Sequence, residues 1–111
     1  MKDDSLPDIV QNLADEKPDL WAAYNELGKA IAQAGPLDAK TQRLVKLALA
    51  IAAGSEGAVH SHTRRGLKDG LTSDEIRHVA LLGVTTVGWP RAIAGLSWIE
   101  SALGGAGEPG E

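Results

Sequence analysis

The chain contains no cysteine. That absence excludes disulfides, thiolate metal sites and thiol catalysis, and it leaves the redox compartment unread. Phenylalanine is also missing, so Trp21, Tyr24, Trp89 and Trp98 are the only aromatic residues. Basic residues number 11 against 15 acidic ones, for a net charge of -4. A protein that neutralises phosphates needs the opposite balance, so nucleic-acid binding is not expected. The longest apolar run, Leu47 to Ala53, falls far short of the roughly 20 residues that a membrane-spanning helix needs. The opening MKDDSLPD has no basic segment leading into an apolar one, so no secretory leader is read there. The expectation is a soluble, cytoplasmic protein with no membrane partner. No strand run and no internal repeat is evident.

What the chain does have is alanine, leucine and glycine, whose small or flexible side chains let helices pack closely; this favours an all-α fold. Its 111 residues suit one domain, large enough to bury a core without disulfides or metal. That domain is expected over residues 1–103, followed by a disordered glycine-rich tail over 104–111. Met1 to Ser5 reads as loose, and Leu6, Ile9, Val10 and Leu13 as a short amphipathic arm or helix. A first long helix begins near Pro18 and Asp19, where a proline and an acid suit the first turn. Leu20, Tyr24, Leu27 and Ile31 form its stripe, and Gly35-Pro36 ends the pattern.

Asp38 is placed to cap the next helix, which is apolar on nearly every side and is therefore expected to be buried on nearly every side. In so small a chain some of that surface is expected to face another subunit. Gly54 closes this helix and Ser55 can cap the one after it. Thr72-Ser73-Asp74-Glu75 reads as a capping box. Ile76, Val79, Ala80, Gly83 and Val87 are the expected buried stripe of the helix it opens. Gly88-Trp89-Pro90 breaks that helix, and a last one runs from about Pro90 to Leu103, with Ile93, Leu96, Ile99 and Leu103 inward.

The helix from Glu56 to about Lys68 carries the polar chemistry. At 100° per residue, Ser55, Ala58, His62 and Arg65 share a face, while His60 and Arg64 point roughly the other way. His60 and His62 lack the i, i+3 or i, i+4 spacing of ligands on one helix, so a metal site is not expected. His62 has two readings: a partly buried imidazole bonded to its surroundings, or a general acid or base, with Arg65 holding an anionic substrate. Arg43 and Lys46, three apart on the preceding helix, could add positive charge at the same junction, or could lie on a solvated or subunit-facing edge. Trp89 and Trp98 read as core or interface fillers rather than as a partner-binding surface.

Several segments together carry a resemblance. Arg43-Leu44-Val45-Lys46-Leu47-Ala48-Leu49-Ala50 leads to Gly54. His62-Thr63-Arg64-Arg65-Gly66-Leu67-Lys68-Asp69-Gly70 follows, then Thr72-Ser73-Asp74-Glu75-Ile76 and Gly88-Trp89-Pro90. From about Leu20 to Ala102 this order is similar to the carboxymuconolactone decarboxylase family, which includes the alkylhydroperoxidase D-like proteins. The resemblance implies an alkylhydroperoxidase D-like bundle of about five to six helices, assembled as a homotrimer or homohexamer with sites built between subunits. It also implies one of two chemistries, lactone decarboxylation or thiol-dependent peroxide reduction.

The peroxidase branch carries a Cys-x-x-Cys pair where this chain has Ser55 and Ala58, and a relay glutamate where it has Arg43. Of that relay only His62 remains, so a disulfide-based peroxidase is excluded. The decarboxylase branch is better matched over His62 to Gly70, although Gly57 and Ala58 replace its acidic and aromatic residues near the helix start. The resemblance thus points to a cofactor-independent lyase acting on a small anionic lactone or keto acid. In it His62, Arg65 and Ser55 would be catalytic, and Arg43 and Lys46 would bind substrate. The alternative is a non-catalytic ligand-binding or assembly protein on the same scaffold.

Overall fold

The structure, a computed structural model, describes residues 8–105. Six α-helices follow one another in the described residues: α1 (Asp8–Glu16), α2 (Pro18–Ala32), α3 (Ala39–Ala53), α4 (Glu56–Lys68), α5 (Ser73–Leu82) and α6 (Trp89–Gly105). A single 3₁₀ turn, Gly83–Thr85, follows α5. The architecture is all-α, as the composition implied. The segment Met1–Ser5, read as loose, and residues 106–111 of the expected tail lie outside the described residues; residues 104–105, read as tail, continue α6. No helix of the described residues is long and apolar enough to cross a membrane.

Local chemistry sets the helix ends. Asp38 accepts a hydrogen bond from the Thr41 amide at 2.8 Å, satisfying one orphan donor of α3. Gly54 closes that helix in the left-handed region at φ 72°, where a Cβ would be strained. The Thr72 hydroxyl accepts from the Glu75 amide at 3.0 Å and the Glu75 carboxylate accepts from the Thr72 amide at 2.8 Å, the reciprocal pair of a capping box. Ser55 occupies the N-cap of α4, but its side chain makes no capping bond.

The core is formed by Leu47, Ala50 and Ile51 of α3, Val59 of α4, Leu71, Ile76 and Ala80 around α5, and Ile99 and Leu103 of α6. α4 packs on both α3 and α6, and α6 also packs on α3 and α5. Two glycines permit this closeness. A Cβ on Gly66 would lie 3.1 Å from Leu71 Cδ1 and 3.4 Å from Arg43 Cγ, and one on Gly95 would lie 2.6 Å from Ile51 Cγ2.

Three expectations from periodicity are corrected. α3 is buried along one side only: Val45 and Leu49 are 43% and 64% exposed, because α4, α5 and α6 all approach it from the side of Leu47, Ala50 and Ile51. Val87 is not part of a buried helical stripe. α5 ends at Leu82 because the Gly83 carbonyl accepts from the amides of Thr86, Val87 and Gly88. The Thr86 hydroxyl also bonds the Gly83 carbonyl, a competition that serine and threonine commonly offer the helix ladder. Ile93 lies at the rim of the core rather than inside it.

Candidate functional site

His62 lies half-buried on α4, and the nearest strong donor is Arg43 of α3, whose Nη1 is 2.8 Å from His62 Nδ1. A guanidinium has donors only. His62 Nδ1 is therefore the acceptor and carries no proton, which places the ring proton of the neutral imidazole on Nε2. Arg43 is itself held: its Nε donates to Asp69 Oδ2 at 3.0 Å, and its side chain is only 16% exposed. The missing side chain of Gly66 leaves room for the Arg43 stem to lie against α4. Glycine in a helix interior disfavours the helix by about 1 kcal/mol relative to alanine, and this contact is what that cost secures.

The electrostatics follow from this arrangement. Burial, then the charges of Arg43, Arg65 and Lys46, push the His62 pKa down to about 4. The imidazole is neutral at physiological pH, with Asp69 paired to Arg43 beside it. Three basic side chains thus act on His62, although the whole chain carries -4.

A pH dependence follows. Because the folded pKa lies below the ordinary value of 6.5, the unfolded chain binds more protons between the two. The stability tied to neutral His62 is complete above pH 6.5 and is lost as the pH falls through about 4. The urea midpoint of the native protein is therefore expected to fall over that interval, and His62→Gln is expected to flatten the fall. Equal slopes for the two proteins would rule out His62 as the titrating group.

The residues read from the sequence are only partly brought together. Arg43 and His62 are in contact, and Lys46 and Arg65, both on the surface, act on His62 through charge. Arg65 Nη1 also donates to Ser61 Oγ at 3.2 Å. Ser55 stands apart, seven residues before His62 on the same helix and so roughly 10 Å along its axis. The solvated-edge reading of Arg43 does not hold, because two polar partners and the α4 surface enclose it. His60 faces Glu56 across one turn at 3.8 Å, and His78 lines a groove between α3 and α5. Asp69 is the site residue that sequence reasoning missed. Its only local signal was its place before Gly70, and no spacing rule relates it to Arg43, 26 residues earlier.

Comparison with known proteins bears on this arrangement. A model of the carboxymuconolactone decarboxylase family matches residues 18–101. The uncharacterized protein MJ1511 of Methanocaldococcus jannaschii is 34% identical over 87 residues, covering 78% of this chain and 81% of that protein. The crystal structure of apo-lpg0406, a carboxymuconolactone decarboxylase family protein from Legionella pneumophila, superposes with a TM-score of 0.75 at 23% identity, covering 88% of this chain and 87% of that one. At that identity the likeness speaks for the fold.

Proposed function

The chain belongs to the carboxymuconolactone decarboxylase family, and from that premise we propose that it binds a small organic anion, a lactone or keto acid carboxylate, at His62. With no cysteine in the chain, thiol peroxidase chemistry is absent. The observation that carries the reading is the Arg43–His62 contact. It leaves His62 Nε2–H as a neutral donor among cations, a group fitted to an oxygen that is or becomes negative.

The reaction such a site supports is electrophilic decarboxylation. The bond from carbon to the leaving carboxylate breaks, and its electron pair passes into the neighbouring carbonyl to form an enolate. Carbon dioxide departs, and solvent supplies the proton that quenches the enolate. His62 would donate to the developing enolate oxygen, while Arg65 and Lys46 would hold the anionic substrate. A neutral imidazole in this role has precedent elsewhere, where a positive environment likewise depresses its pKa. Acid–base exchange at His62 is less well supported, because Nδ1 is occupied by Arg43 and Nε2 already bears its proton. That same lock favours the second reading, a ligand-binding protein without turnover.

The test is carbon dioxide release from carboxymuconolactone and from oxaloacetate, with calorimetric titration of the same compounds. If the donor role holds, His62→Ala lowers turnover about 10²–10³-fold, as loss of an oxyanion donor does elsewhere. Binding without turnover in the native protein selects the ligand-binding reading. Binding and turnover that are both indifferent to His62→Ala would overturn the site.

A further inference from the structure

We propose that Asp69 is a positioning residue for His62, acting through Arg43, and that the glycine turn after α4 holds its carboxylate in place for that task. The Arg43 guanidinium bridges two partners: Nε donates to Asp69 Oδ2 at 3.0 Å, and Nη1 to His62 Nδ1 at 2.8 Å. Because the guanidinium is a planar, rigid fork, fixing Nε on one side fixes where Nη1 points on the other. Asp69 thereby sets which His62 nitrogen stays unprotonated, and so which one can donate.

The turn is shaped to deliver that carboxylate. The Leu71 amide donates to the Gly66 carbonyl at 2.9 Å and the Gly70 amide to the Leu67 carbonyl at 3.1 Å, with Gly70 left-handed at φ 97°. This pair of bonds is a Schellman motif, which stops α4 with Asp69 as its C-cap. Leu71 is 5% exposed, so the backbone carrying Asp69 is anchored on one side by α4 and on the other by the core. Gly66 lets both contacts form, since a Cβ there would lie 3.1 Å from Leu71 Cδ1 and 3.4 Å from Arg43 Cγ. The stretch from His62 to Gly70 thus works as one unit, with Arg43 of α3 as its bridge.

The plainer reading is an ion pair that only ties α3 to the turn. Two observations speak against it. The Asp69 side chain is 37% exposed, and pairs so open to solvent add little to stability. A tie would also need only the first bond, whereas the 16% exposed Arg43 side chain commits a second nitrogen to an imidazole. Asp69 has a further consequence, because its carboxylate balances the Arg43 charge beside His62. Removing it should therefore loosen the His62 tautomer while strengthening the binding of an anion there. Loss of a merely structural residue would weaken both.

The test compares the native protein with Asp69→Ala and Asp69→Asn, each labelled with ¹⁵N-histidine. Nuclear magnetic resonance at neutral pH should show native His62 in one tautomer, with its proton on Nε2. Asp69→Ala should add a population protonated on Nδ1, while Asp69→Asn, whose amide oxygen still accepts from Arg43 Nε, should keep the native tautomer. Both variants lack the charge, so the Kd for oxaloacetate should fall about two- to fivefold, the worth of one partly exposed ion pair. Carbon dioxide release from oxaloacetate, the one arm that rests on the proposed decarboxylation, should fall up to about 10²-fold in Asp69→Ala, as misplaced groups do elsewhere. A native protein without turnover would remove that chemistry and leave the tautomer and affinity arms to decide this role. A native proton on Nδ1, an Asp69→Ala imidazole spectrum identical to the native one, or weaker oxaloacetate binding in both variants would overturn the proposal.

Discussion

Gly95→Ala is expected to destabilise the fold by about 1–3 kcal/mol, the usual range for forcing a methyl into a packed core. The added Cβ would sit 2.6 Å from Ile51 Cγ2 and 3.0 Å from Ile51 Cγ1. Ile51 is 2% exposed, so it has no solvent-facing rotamer into which to retreat. The sign is informative, because glycine to alanine in an open helix position gains about 1 kcal/mol. Gly57 on α4 supplies that contrast, since a Cβ there meets nothing within 4 Å. Urea denaturation of both variants should move the midpoint in opposite directions. In an Ile51→Ala background the Gly95→Ala penalty should vanish, and a penalty that persists would place the conflict elsewhere than between α3 and α6.

Arg43→Glu is expected to have the largest effect on the site. It removes the donor that holds His62 Nδ1 unprotonated and sets a carboxylate in its place, which favours the imidazolium. The His62 pKa should rise from about 4, with burial still opposing the rise. Proton-detected titration of the imidazole would follow it. The same change exchanges one positive charge for a negative one beside Asp69, so affinity for an anionic lactone or keto acid should fall at least tenfold. An unmoved histidine titration would mean that burial and the charges of Arg65 and Lys46 set it without Arg43.

Much of the fold was legible in short stretches. Asp38, Gly54, Gly70 and the Thr72–Glu75 box announce helix ends because the bonds they make close within a few residues and need no distant partner. The start of α2 at Pro18 is read equally well from its first turn. The end of α5 was not, since Gly83 and Val87 continue the apolar spacing and only the hydrogen bonds gathered at the Gly83 carbonyl show the helix stopping. For the site, His62 stands out by residue type, and Arg43 and Arg65 by charge. Their arrangement was not legible, because the expected face with Ser55 follows one helix while the contact that matters crosses to another.

The sequence by itself determined the all-helical class, the positions of the caps, the family and the exclusion of thiol chemistry, all of which rest on residue identity or on bonds between near neighbours. The tertiary structure alone decided that Arg43 is a locked donor to His62 rather than a surface charge, that Asp69 belongs to the site, and that the stripe of α2 stays exposed among the described residues. The physical reason is separation: Arg43 meets partners 19 and 26 residues away. Burial of an apolar face depends on which helices arrive to cover it, and periodicity within one helix carries no information about that.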